Sequence, residues 1–247
     1  MTVAPEPVTA TTPRPVRRPV MLQSWTDLVY LHWDHPPDVV QALLPDGVRV
    51  DTFEDRAWIG LVPFMMRAIR VPGTPAIPWV STFPEINVRT YVIDATGRRA
   101  VWFFSLDIPR SVPVGIARLA YDLPYCWAAA RYETDGERRR YVSRRRRPHR
   151  SAARLDMTIL PTDPIAADRE TDLDRWLTAR WGLVAGTRRT LRHAPVDHPR
   201  WPLHRAEVLH LDQTLVEAAG LPAPASPPHV LYSPGVDVRV GLPRRIG

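Results

Sequence analysis

The chain has 247 residues, a formal net charge of +7 and an apolar fraction of 45%. No apolar run approaches the ~18 residues of a membrane helix, and the single cysteine, Cys126, excludes an intramolecular disulfide and any zinc site built on several thiolates. All 33 basic residues are arginine and the chain contains no lysine, so the positive charge permits attraction to anions without any ammonium chemistry. Residues 1–20, rich in Pro, Thr, Ala and Arg, lack an apolar period and are expected to be a disordered tail. Arg17 and Arg18 have no apolar segment behind them to make a secretion signal, so a cytoplasmic protein is expected.

From Met21 to Gly247 the pattern is that of one domain. Residues 26–33 read as a strand, and 34–44 as a short helix with Pro36 and Pro37 in its first turn and Gly47 beyond its end. Residues 48–52 and 57–66 read as strands, the second apolar enough to be buried on both faces. A proline-rich loop over 70–84 precedes the clearest hairpin, 85–93 and 100–107, whose first strand alternates with a period of two. A helix is expected over 113–121. A second hairpin, 125–134 and 138–145, turns at Asp135-Gly136. Further strands are expected over 154–160, 183–187 and 205–211, a helix over 172–181, and a helix capped by Asp212 and ended by Gly220. Short strands at 230–232 and 236–242 close the chain. Many antiparallel strands with a few separated helices indicate an α+β fold, a largely antiparallel curled β-sheet or barrel.

Several segments, in order, resemble the YqjF-like family of uncharacterised bacterial proteins: Leu31-His32-Trp33, Gly60-Leu61-Val62-Pro63-Phe64, the nine-residue string from Phe83 to Tyr91, Phe103-Phe104-Ser105-Leu106-Asp107, Tyr121-Asp122-Leu123-Pro124-Tyr125 and His198-Pro199-Arg200-Trp201-Pro202-Leu203. That family is similar in turn to acetoacetate decarboxylase, which implies an acetoacetate-decarboxylase-like scaffold. The decarboxylase family forms a Schiff base on a lysine. Here Arg118 and Pro124 match its motif, but Tyr125 stands in the place of the nucleophilic lysine and Cys126 in that of its lysine neighbour. A phenol forms no imine, so lysine Schiff-base decarboxylation is not expected. Glu85 resembles a carboxylate which that family places in the same cavity.

The candidate site follows from the residues and this resemblance. Glu85 and Arg89, four apart on a strand, share one face about 13 Å apart, with Asn87 between and Tyr91 beyond; that row is either a cavity lining or a solvated face. Ser105, Asp107, Arg118 and Tyr125 are expected to converge on it. Arg118 would fork a substrate carboxylate or form a structural ion pair. Tyr125 would donate a proton or be a core phenol. His32 is the histidine placed nearest the cavity, with a buried structural role as the alternative. The eight histidines show no metal-ligand spacing, Cys126 reads as a buried hydrophobe or a reactive thiol with no activating signal beside it in the sequence, and Ser105 lacks a nucleophile elbow.

The expected function is a cavity for a small anionic or carbonyl-bearing ligand, with Glu85 as base and Tyr125 as acid if it is an enzyme, and no cofactor or metal. A non-catalytic binding or structural module is the alternative. No membrane partner is expected, and a homo-oligomer is compatible with the chain. The run 138–150 holds eight arginines, which reads as a phosphate patch or as an exposed arginine-rich hairpin; the hairpin placement makes nucleic-acid binding the weaker reading.

Overall fold

The alternation seen in the sequence becomes a mostly β structure. A computed structural model describes residues 3–77, 80–109, 122–146, 152–187 and 190–246. The elements are β1 (Met21–His35), α1 (Pro37–Gln41), β2 (Val48–Val50), β3 (Thr52–Phe53), β4 (Arg56–Arg70), β5 (Phe83–Asp94), β6 (Arg99–Ile108), β7 (Tyr125–Asp135), β8 (Arg138–Arg145), β9 (Arg154–Pro164), α2 (Asp172–Thr178), β10 (Gly182–Thr187), β11 (Thr190–Asp197), β12 (His204–Gln213), α3 (Leu215–Ala218), β13 (His229–Val240) and β14 (Arg244–Arg245). Nine strands close on themselves in the order β6-β7-β8-β9-β12-β13-β1-β4-β5, with β5 pairing back to β6. All the barrel pairs are antiparallel except β6–β7. The β10–β11 pair branches from β6 and reaches β13.

Period-two patterning decides what faces the barrel interior. On β9, Leu155, Met157 and Ile159 are buried and share one apolar cluster with Leu31 of β1, Ile59 and Leu61 of β4, Ile86 and Val88 of β5 and Tyr141 of β8. The opposite faces of β8 and β12 are largely open to solvent, so this shared face is the interior. β4 and β5 are buried on both faces. Their outward residues Val62, Phe64, Met66 and Phe83 join Leu106, Leu28 and Tyr30 against Ala185, Ala194 and Val196 of the β10–β11 arm, with Trp201 and Leu203. One barrel wall is therefore covered from outside, and each fully buried Leu, Ile or Val there contributes on the order of 1.5–3 kcal/mol.

A bulge on β1 sets which residues look into that covered layer. Asp27 adopts φ 54°, and the pairing with β4 slips by one residue between Thr26 and Leu31. The slip lets Gln23 and Trp25 share the outward face with Tyr30 and His32, which uninterrupted alternation would forbid. Asp27 is held by the phenols of Tyr141, to its carbonyl, and Tyr232, to its carboxylate.

Several boundaries differ from expectation. Helix α1 is a single turn with Pro37 at its start, and α2 ends at Thr178 rather than 181. Strand β12 runs through Asp212, which pairs with Arg154 instead of capping; Gln213 Oε1 accepts the N–H groups of Leu215 and Val216 and starts α3. The two short strands expected at the end are one, β13, which passes through Gly235, where a φ of 131° lets the backbone lie against the Trp25 carbonyl. Residues 3–20 form no helix or strand, yet they lie on the barrel: Glu6 N–H donates to Gly97 O, Trp181 donates to Thr9 O, and Val16 N–H reaches the Asp197 carboxylate. The helix expected over 113–121 lies outside the described residues.

Candidate functional site

The covered layer contains a cavity of about 100 Å³ between the barrel wall and the β10–β11 arm. Its lining is apolar and aromatic, including Trp25, Met66, Phe83, Phe103, Leu106, Ile108 and Leu183. Among the described residues three polar side chains also line it: Glu85 on β5, Tyr125 on β7 and Gln23 on β1. Glu85 comes from the middle layer of the wall and pairs across to Phe64 of β4. Tyr125 arrives because β7 starts parallel to β6, with Tyr125 beside Leu106. Thus two residues that are 40 positions apart in the sequence meet one space.

Glu85 is 4% exposed, and its Oε2 has no hydrogen-bond partner among the described residues. Burial in this apolar lining raises its carboxyl from 4.5 to about 8. No described arginine lines the cavity to oppose that shift. Gln23 is fixed in place, its Oε1 accepting from Trp25 Nε1 at 2.7 Å and its amide directed at the Met21 sulfur. Sequence reasoning passed over Gln23 and Trp25, because only the Asp27 bulge turns them toward Glu85.

Asn87 and Arg89 share the outward face of β5 with Glu85 but do not line the cavity. They lead into a separate polar cluster. His32 is fully buried, its Nε2 2.6 Å from Tyr91 Oη, and Arg89 donates to the same phenol at 3.3 Å. Burial, then the Arg89 and Arg180 charges, hold the His32 imidazole well below its ordinary pKa, so it is neutral. Gly60 stands between His32 and Arg89 in the register, and the missing side chain makes room for the imidazole. Arg180, which no sequence pattern singled out, completes this cluster through Tyr91, Trp176 and Asp51.

Ser105 and Asp107 do not converge with Glu85. Asp107 pairs with Ile86 and Ser105 with Val88, both interior residues, so the two side chains face the barrel interior. There Asp107 is fully buried against Arg145 at 2.9 Å. The physical reason is a bulge in β6: Ser105 opposes Val88 while Phe103 opposes Arg89, so the strand changes parity and presents Phe103, Leu106 and Ile108 to the cavity. Arg118 lies outside the described residues. Cys126 is buried.

The described part of the arginine run is divided between two faces of β8: Arg138, Arg140 and Arg144 are exposed, while Arg139 and Arg145 share the other face with buried Tyr141 and Ser143. Arg140 is paired with Glu133 and Asp156, Arg139 turns to Asp27 and the Tyr232 ring, and Arg145 is buried on Asp107. Residues 147–150 lie outside the described residues. Among the described residues, no group of three or more His, Cys, Asp and Glu side chains is placed to hold a metal ion, and no helix is long and apolar enough to cross a membrane.

The DUF2071 family of uncharacterized conserved proteins matches residues 22–237. The chain belongs to that family. It is 34% identical over 219 residues to the uncharacterized protein YqjF of Bacillus subtilis, covering 89% of each chain. Solved structures share the fold at low identity. An acetoacetate decarboxylase-like enzyme from Sphingomonas wittichii superposes with a TM-score of 0.63 at 11% identity, covering 92% of this chain and 93% of that one. The enduracididine biosynthesis enzyme MppR, complexed with pyruvate, gives 0.64 at 13%, covering 93% and 91%. Acetoacetate decarboxylase from Legionella pneumophila gives 0.61 at 12%, covering 96% and 92%. This DUF2071 chain therefore has the acetoacetate-decarboxylase-like fold.

Proposed function

We propose that this protein binds a small, uncharged, carbonyl-bearing molecule with an apolar body, and that Glu85 is its proton donor in the cavity. The observation that carries this is the carboxyl of Glu85, the one carboxyl among the described lining residues: buried, with one oxygen unpartnered, among mostly apolar neighbours. With its pKa raised to about 8, the carboxyl is protonated about ten to one at neutral pH. It then acts as a hydrogen-bond donor rather than the base that the sequence suggested. An O–H directed at a carbonyl oxygen polarises it, and a dry site strengthens that interaction. Tyr125 is a second ionisable group on the same lining, which supports acid–base chemistry on the bound carbonyl.

An anionic ligand is the weaker half of the original expectation, because no described cation lines the space to receive it. A lysine Schiff base has no residue to form on. The fold neighbours include a protein complexed with pyruvate, which supports reading the scaffold as one that takes small oxo compounds. The test is a thermal-shift screen of small ketones, esters and amides at pH 6.5 against wild type, Glu85→Gln and Tyr125→Phe. Stabilisation by neutral carbonyl compounds that weakens in both variants and disappears in wild type above pH 9 supports the reading. Equal responses in all three proteins end it.

A further inference from the structure

Past the cavity, β5 runs into the polar cluster around Tyr91, and the charges there do not balance. Arg180 follows α2 and is 5% exposed, its guanidinium 4.6 Å from the Tyr91 ring centre and 4.2 Å from that of Trp176. One nitrogen, Nη1, donates to Asp51 at 2.8 Å, while Nε and Nη2 have no hydrogen-bond partner among the described residues. Nε and Nη2 form one edge of the guanidinium, with parallel N–H bonds spaced for the two oxygens of a carboxylate. Arg89 stands 5.6 Å from the same Tyr91 ring, and its Nε is also without a partner. No carboxylate among the described residues pairs with Arg89, and Asp51 is already shared between Arg180 and Arg99. His32 is neutral and adds no charge of either sign. Among the described residues, two guanidiniums thus flank the Tyr91 ring while the Asp51 carboxylate is divided between Arg180 and Arg99, in a place where unpaired charge and unmet donors are costly.

We propose that Arg180 and Arg89 form a binding site for a small carboxylate anion. The Nε–Nη2 edge of Arg180 takes its two oxygens, and Arg89 supplies the second positive charge. The site is distinct from the Glu85 cavity, which neither arginine lines. Arg89 is only partly buried, unlike Arg180, Tyr91 and His32, so the anion approaches past it. The edge matches the two coplanar oxygens of a carboxylate, whose apolar remainder suits the rings of Tyr91 and Trp176, whereas a phosphate brings further charged oxygens into the same buried place.

The experiment titrates acetate, with inorganic phosphate as comparison, into the full chain at pH 7 and constant ionic strength, following binding by calorimetry and thermal shift. Wild type shows saturable acetate binding, tighter than phosphate. Arg89→Gln weakens acetate about tenfold or more. Arg180→Lys, which keeps the charge and loses the planar edge, abolishes it. Glu85→Gln, which removes the cavity's carboxyl, leaves the acetate affinity where it was. Should Arg180→Lys not fold, Arg89→Gln and a crystal structure grown with acetate decide. No saturable response in wild type, an undiminished response in Arg89→Gln, loss in Glu85→Gln, or only water on the Arg180 edge each overturns the proposal.

Discussion

The imidazole of His32 occupies the space that Gly60 leaves empty. A Cβ built at position 60 would lie 2.8 Å from His32 Nε2 and 3.3 Å from Arg89 Cγ, and the register places Gly60 directly between these two residues. Gly60→Ala therefore has to push the ring off Tyr91 or bend a wall buried on both faces. The expected loss is about 1–3 kcal/mol, the usual cost of overfilling a packed site. Urea denaturation checks it: the midpoint falls with an unchanged slope, and Gly60→Ser behaves no better.

Glu85 makes stability fall as pH rises. Its carboxyl binds a proton up to about pH 8 in the folded chain but only to about 4.5 when unfolded. Between these values the native state holds more protons than the unfolded state, so the slope of unfolding free energy with pH is negative. The stabilisation is complete below about pH 4.5, declines through neutrality and is lost above about 8, a span on the order of a few kcal/mol. Glu85→Gln cannot ionise. Its denaturation midpoint should be flatter than wild type from pH 5 to 9 and higher at the alkaline end. A parallel decline in both proteins contradicts the burial of this carboxyl.

How much of this arrangement could be read in advance depends on whether local pattern or a bulge decides it. The β5–β6 hairpin was legible because alternation from Glu85 to Ile93 and the turn at Gly97 are local signals. Glu85 and Tyr125 were legible from the family resemblance, and the structure puts both on one lining. Which neighbours join them was not legible. One inserted residue at Asp27 turns Gln23 and Trp25 toward the cavity, and one in β6 turns Ser105 and Asp107 away from it. Bulges reverse every side chain beyond them and leave little trace in composition. Arg180 sits two residues past the end of α2 and gains its meaning only from Tyr91, Trp176 and Asp51, which are distant in sequence.

Asp174 ties α2 to the barrel and should make the fold sensitive to acid. It forms a capping box with Thr171, accepts from His229 Nε2 at 2.8 Å and pairs with Arg205 at 3.2 Å. Burial alone would raise its carboxyl, but the hydrogen bonds from His229 and Thr171 outweigh that and hold it at about 2. A depressed carboxyl contributes stability above its unfolded value of 3.8 and loses it as pH falls toward about 2. Asp174→Ala also strips the cap and leaves Arg205 and His229 without their acceptor, for an expected cost of about 1–3 kcal/mol at pH 7. Melting curves at pH 7 and pH 3 should show a large gap between variant and wild type at neutral pH and a smaller one in acid.

Asp107 and Ser105 provide the sharpest separation between a site in the cavity and a structural role inside the barrel. Asp107 is fully buried and Arg145 nearly so, at 2.9 Å. Removing one member takes a buried ion-pair partner from the other, so Asp107→Ala should cost about 3–5 kcal/mol. Ser105 Oγ is buried with no hydrogen-bond partner among the described residues, so Ser105→Ala removes an unmet polar group and should be neutral or mildly stabilising. Neither change touches the cavity lining, so any carbonyl ligand bound through Glu85 keeps its affinity in Ser105→Ala and in the folded fraction of Asp107→Ala. A Ser105→Ala protein that is fully stable yet has lost ligand would put this strand face back in the site and refute the parity change at the β6 bulge.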